Sequence, residues 1–465
     1  QKTAYELRLS LVGSEMCIRD RIWGLLGPES VGSERRTRTL NLGATVRSFN
    51  DLAVPGMGGV WFGKQLFLAT LGVAVAEQAR AARRRVSNIE VANAIEALGC
   101  WLALQHNGWG RDPRVRGANK MRHVAAQDLW FDRVRKPSFY VTQPMRQATI
   151  QPLRDLGLIE SAGERFNGFT CSETGEAFIN AVAGHLKPSN RSVTEHLVSW
   201  VKGENVALNT PTLRQALSPM VELPRLSREI LRERICAGNT VDSHRRANAL
   251  RWVESRRGEL KAPVDWKVKP EMLDEAHWRD LHVGSLFFIA RDAAILLLDQ
   301  IEDIMGSSSD RRVRLSDSLP PIVSERCRTL RLAAADFLSQ AADPTPNSEA
   351  NKFCRECSEP STDADVLRNL IDREGRVLQL KGSDIVPGSA FAGKKMSDPE
   401  MFGAKTTDTG RSDEEGGTET PPPVGAHWPP GISQRIKNLF LMNIDLKGDL
   451  DSWLTGNAAA EGETL

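Results

Sequence analysis

The chain has 465 residues and a formal charge of only +2, too long for one ordinary core, so roughly two to four domains are expected. Near-balanced charge excludes a uniformly basic nucleic-acid coat; basicity toward nucleic acid has to be local. Seven scattered cysteines form no disulfide framework and fit a reducing cytoplasm, and the Ala, Arg and Leu content fits a helix-rich protein.

Residues 1–21, QKTAYELRLSLVGSEMCIRDR, look like a translated sequencing-adaptor read-through and are set aside, which puts the expected natural start near Ile22. An N-terminal helical domain is expected over 22–136. After the loop-rich Leu40–Pro55, the pattern reads as a helix over Val60–Ala82, closed by Arg83-Arg84-Arg85, which favour a helix C-terminus. Ser87-Asn88-Ile89-Glu90 is a capping-box signature opening a helix through Gln105, with Val91, Ile95, Leu98 and Leu102 at helical spacing. A Gly/Pro/Arg loop then leads to an expected helix over Met121–Val134. Leu66–Ala76 is apolar but about half the length of a membrane span, and Arg291 and Asp292 interrupt Phe287–Leu298. No membrane partner is expected.

The most informative stretch is Pro137–Gly184. A polar helix over Gln143–Leu156, with Pro152 inside it, ends at Gly157. A short strand Leu158–Glu160, a turn, a second strand Arg165–Thr170 and a helix N-capped by Ser172 follow. This order, with the seam "LRDLGLIE" and the turn Ser172-Glu173-Thr174-Gly175, resembles the bacterial winged helix-turn-helix regulators of the MarR/PadR-like type. The resemblance covers about a tenth of the chain and assigns 137–186 to a winged helix. It implies a recognition helix presenting Gln143, Arg146, Gln147, Thr149, Gln151 and Arg154 to base edges and phosphates, with Met145, Ile150 and Leu153 facing the core. Arg165 and Asn167 would lie in the wing. From Gly108 to Arg146, nine cations, among them Arg111, Arg114, Arg116, Lys120 and Arg122, face only Asp112, Asp128 and Asp132, a local surplus suited to phosphate contacts.

The remainder reads as a helical domain over 187–345, with candidates at Val193–Lys202, Thr210–Leu217, Ser227–Cys236, Val241–Arg257 and Pro321–Ala342. A long helical pattern over Pro270–Met305 should break near Val283-Gly284. Residues 346–386 read as short helical or irregular. Pro387–Ile432, containing DEEGGTETPPPVG, has the composition of a disordered linker. Ser433–Leu454 recovers an amphipathic pattern that either docks back or binds a partner, within a C-terminal segment 433–465.

Catalytic motifs are incomplete. Gly58–Lys64 has the letters of a phosphate-binding loop, but Gln65 replaces the metal-holding hydroxyl and Val60-Trp61-Phe62 is too bulky for a backbone cradle. Cys354-x-x-Cys357 is half a zinc site without its other half. Arg116 and His123 have loosely the spacing of HEPN-type ribonucleases. His282 beside Asp280, and Asp299 with Glu302 and Asp303, read as helix surface. The sequence thus describes a mainly α, multi-domain protein with a central winged helix-turn-helix and a partly disordered C-terminal region. The expected function is non-catalytic binding of duplex DNA, with partner proteins on the helical regions, in the cytoplasm, without metal or cofactor. The architecture is consistent with a component of a bacterial mobile-element or defence system. Two alternatives stand beside it: an interaction subunit whose winged helix binds protein, and a nuclease or NTPase component using Arg116/His123 or Lys64.

Overall fold

A computed structural model describes residues 38–137, 139–161, 163–257, 264–315, 319–340, 348–392 and 428–462. The chain enters through α1 (Gly43–Ala53) and runs into two helices that are apolar on nearly every side, α2 (Gly63–Ala81) and α3 (Asn88–His106). Helices of that character belong inside a core, and Leu66, Phe67, Leu71, Ile95 and Leu98 are fully buried. Gly72 sets how closely the two pack, since a Cβ there would fall 2.6 Å from the Ala92 Cα. The expected capping box forms. Ser87 Oγ accepts the Glu90 N–H (3.2 Å), and the Glu90 carboxylate accepts the Ser87 N–H (2.8 Å).

Between α3 and residue 137 the expected helix over Met121–Val134 is replaced by two single turns, α4 (Ala118–Met121) and α5 (Phe131–Val134). The Val124 and Leu129 carbonyls, which a continuous helix would have used internally, instead accept the indole N–H groups of Trp101 and Trp200, each at 2.9 Å. Next come α6 (Arg146–Asp155), a two-stranded antiparallel hairpin of β1 (Ile159–Ser161) and β2 (Phe169–Cys171), and α7 (Glu173–Ala183). The hairpin pairs Ile159 with Cys171 and Ser161 with Phe169; the expected strand from Arg165 begins instead as a 3-10 turn over Phe166–Gly168. Pro152 does not stop α6. Its ring and the Ala148 carbonyl it leaves without an N–H lie against Gly58, where a Cβ would meet that oxygen at 2.6 Å.

Four helices follow: α8 (Val193–Lys202), α9 (Pro211–Leu217), α10 (Arg225–Cys236) and α11 (Val241–Arg256). Then α12 (Glu275–Ser307) runs unbroken through Val283-Gly284, where a break was expected, because Phe49 of α1 fills the space beside Gly284. Length and hydropathy alone would let α12 cross a membrane, yet it is a core helix packed on α1 and on α13 (Pro321–Gln340). Residues 346–386 are more regular than their composition suggests. They form α14 (Glu349–Ser358), α15 (Asp363–Glu374), β4 (Leu378–Lys381) and most of β5 (Asp384–Pro387). With β3 (Val313–Arg314) the strands make an antiparallel sheet in the order β3-β5-β4, Ile385 pairing with both Val313 and Leu380. Finally α16 (Gln434–Lys447) and α17 (Leu450–Gly462) return to the body. Ile436, Leu439 and Phe440 are fully buried there, and Trp428 lies between Trp252 and Phe440 at ring separations of 5.6 and 5.8 Å.

Two cores result. One joins apolar residues from Ala53 to Leu281 with Ile432–Leu450; the other joins Leu40, Leu42 and Val46 to Val283–Ala390. The expected boundaries at 136/137 and 186/187 therefore run through a single core. The helix α12 contributes to both. Residues 1–21 and most of the expected linker 387–432 lie outside the described residues.

Candidate nucleic-acid interface

Glu96, buried inside α3, decides how the polar helix α6 sits. Its carboxylate accepts the backbone N–H of Met145 (2.5 Å) and of Arg146 (2.9 Å) and the Tyr140 hydroxyl. An anion is thereby fixed at the positive end of α6, a cap supplied by another helix. Burial pushes the Glu96 carboxyl above its usual range, against the Tyr140 hydrogen bond and the nearby Arg116 charge. Arg116 is itself buried and donates to the Gln143 carbonyl at 2.7 Å.

This seating turns inward the face expected to read bases. Arg146 is 7% exposed; its Nε donates to Asn93 Oδ1 (2.8 Å) and its guanidinium lies over the Phe166 ring (4.9 Å). Thr149 has no exposure and bonds back to the Arg146 carbonyl, while Gln143 is also buried. Gln151 is half-buried and donates to Asp51 (3.0 Å), and Gln147 is half-buried too. Only Arg154 is exposed, beside Asp155 (3.4 Å) and Glu164 (3.8 Å). The physical reason is that α3 offers Glu96 and Asn93 as partners to this polar face, so burying it leaves few polar groups unmatched. In the hairpin, Arg165 is exposed, but the Asn167 side chain accepts the Ile89 N–H (3.0 Å). The exposed carboxylates Glu160, Glu164, Glu173 and Glu176 make that surface acidic.

The Arg-rich loop divides in two. Arg114 is buried in an ion pair with Asp112 (2.7 Å) and another with Asp451 of α17, so with Arg116 it holds structure rather than facing solvent. Arg111, Lys120 and Arg122 are exposed. Lys120 lies on α4, which packs on α3, and further cations lie where the chain returns to the start of that helix. Arg84 pairs with Asp132 (2.7 Å), and Arg135 with Glu90 (2.8 Å) and Asp132 (2.9 Å), tying the turn after α2 to α5. Arg83, Arg85, Arg122 and Lys136 are exposed and make no ion pair among the described residues. Arg83 (φ 63°) holds the left-handed position of a Schellman turn, in which the Arg84 N–H bonds the Ala79 carbonyl and the Arg83 N–H the Arg80 carbonyl, each at 2.9 Å. Glycine is the usual residue there, and an arginine costs about 1 kcal/mol of backbone strain.

No family model, curated protein or solved structure matches the chain. The sequence reading missed Arg83–Arg85 as part of this surface. They appeared as a helix end, and their link to residues 132–135 passes through carboxylates that no local pattern marks.

The remaining chemical candidates have structural partners. Lys64 is buried and donates to the Ala216 carbonyl (2.7 Å) and the Gln215 carbonyl (3.4 Å), capping the C-terminus of α9, while Gln65 accepts the Trp61 N–H (2.9 Å). This loop offers no cradle for a phosphate. Cys354 and Cys357 are buried in α14, where burial pushes both thiols up to about 12 or beyond, and no cluster of metal-binding side chains occurs among the described residues. Arg116 is inside while His123 is exposed. Asp280 pairs with Arg245 (2.7 Å), and His282 stacks on Trp266 at 4.8 Å. Asp299 and Glu302 bind Arg38 at 2.9 and 2.6 Å.

Burial pulls the Lys64 ammonium down from 10.5 to about 7, opposed by the charge of Asp445. Between those values the unfolded chain holds a proton that the folded chain has released, so stability from this group rises with pH. Urea unfolding at successive alkaline pH values is expected to show a Lys64-dependent rise of up to about 1.4 kcal/mol per pH unit. The rise should vanish in Lys64→Met; an unchanged slope would contradict the buried, neutral assignment.

Proposed function

We propose that the chain is a non-catalytic nucleic-acid-binding protein that engages phosphates through the basic flank of α3. The observation that carries this reading is the set of exposed cations that make no ion pair among the described residues, Arg83, Arg85, Arg122 and Lys136, in the turn before α3 and beside the short turns that pack on it. The stretch from Asn88 to Trp101 is about 20 Å long at 1.5 Å per residue, enough for several successive phosphates. The strained Arg83 supports the reading, because a cation is held where glycine would fit with less cost. The segment α6–β1–β2–α7 keeps the order of a winged helix, and in this proposal it serves as a scaffold, its polar helix face covered and its hairpin acidic. The proposal keeps the chain in the cytoplasm, where its thiols stay reduced. Partner proteins have a separate candidate surface on α13, where Leu332 is 60% exposed beside Leu286 and Ile289 of α12.

Binding of labelled DNA by the full chain, measured between about 50 and 200 mM salt, tests the proposal. Four phosphate contacts predict a slope of log affinity against log salt of about −3 to −4. Absent or salt-indifferent binding overturns it and leaves the protein-interaction reading.

A further inference from the structure

Within the basic flank one residue is out of character. Trp130, the residue before α5, is 52% exposed, and among the described residues it is the one aromatic side chain in the exposed class. Its neighbours hold its backbone firmly. Phe131 turns inward to meet Trp200 edge to face at 5.4 Å, and the Trp200 indole donates to the Leu129 carbonyl at 2.9 Å. The Trp130 carbonyl accepts the N–H groups of Arg133 (3.0 Å) and Val134 (3.2 Å), and the Arg133 guanidinium, three residues on, pairs with Asp128 at 2.6 Å. Arg84 and Arg135 converge on Asp132 two residues away. A half-exposed indole on a firmly held backbone, next to guanidinium groups engaged with Asp128 and Asp132, can receive an unpaired base while nearby cations hold its phosphates.

The same surface is poorly formed for reading a duplex. Its regular elements, α4 and α5, have four residues each, about 6 Å of helix, whereas groove readout needs an element that enters the groove and presents several side chains. The longer helix that could have done so, α6, has its polar face buried. Phosphate contact with stacking remains as the mode the surface can support.

We propose that the basic flank binds single-stranded nucleic acid in preference to duplex, with Trp130 as the platform on which one base stacks. The inference rests on the basic-flank reading and adds the strandedness of the ligand.

The experiment measures the affinity of the full chain for an oligothymidine of about 20 nucleotides and for a duplex of the same length, comparing wild type, Trp130→Phe and Trp130→Ala at low salt. The expected result is tighter binding of the single strand by wild type. Trp130→Ala should lose about tenfold in single-strand affinity, with duplex affinity changed less than about twofold and most of the loss recovered in Trp130→Phe. Duplex bound as tightly as single strand, or an alanine effect equal on both ligands or absent from both, overturns the inference. Failure of the underlying reading looks different: wild type would then show no salt-dependent affinity for either ligand. Because about half of Trp130 is in solvent and its indole makes no hydrogen bond among the described residues, the circular dichroism of both variants should match wild type.

Discussion

Glu96→Ala is expected to destabilise the protein by about 3–5 kcal/mol, the usual cost of removing one member of a buried charged cluster. The carboxylate meets three donors, the Met145 and Arg146 N–H groups and the Tyr140 hydroxyl, all of them buried. Alanine leaves these donors without an acceptor and removes the anion from the positive end of α6. Glu96→Gln keeps one acceptor oxygen and should cost about 1–2 kcal/mol. Because burial raises the folded-state pKa of Glu96 above its usual 4.5, the proton-linked part of its contribution is fully present below that value and is lost as pH rises through the raised one. The glutamine variant should lack this loss. Urea unfolding followed by circular dichroism at two pH values measures both quantities, and a Glu96→Ala cost below about 1 kcal/mol would mean that the cap does not hold α6.

The second large effect concerns binding. Replacing Arg83, Arg85, Arg122 and Lys136 together by alanine removes four exposed cations and is expected to weaken nucleic-acid binding by about 10²- to 10³-fold at low salt, with the salt slope reduced by about 3. Stability should scarcely move, since exposed substitutions are usually worth within about 0.5 kcal/mol, and alanine keeps the Cβ that strains position 83, so the strain there is unchanged. Arg154→Ala/Arg165→Ala makes the control, because both side chains are exposed on the α6–hairpin segment and one already lies near Glu164. Fluorescence anisotropy on the two variants separates the surfaces. Loss in the control with retention in the fourfold variant would return the function to the hairpin.

Much of the helical architecture was legible in the sequence because it depends on local chemistry. The capping box at Ser87 and Glu90, the Ser172 cap, and the helices at 193–202 and 241–256 follow from spacing and caps alone. The same logic misled over Met121–Val134, where two tryptophan indoles take backbone carbonyls from outside the segment. It also misled over α12, which runs on through Gly284, where Phe49 of α1 packs against it. The site was less legible for a related reason. A polar helix such as 146–155 reads as a solvent face unless its partner is known, and the partner here is a glutamate fifty positions from Arg146. Arg146 and Arg114 share a residue type with Arg122 and Arg83, yet only burial distinguishes a structural guanidinium from one free to meet a phosphate.

Hydrogen exchange with and without a bound oligonucleotide tests the central assignment most directly. The account predicts slowed exchange in peptides covering residues 82–90 and 118–136, with residues 143–157 unchanged. Slowing confined to 143–157 and the 163–168 turn, with 118–136 unaffected, would contradict it and make α6 and the hairpin the nucleic-acid-binding surface.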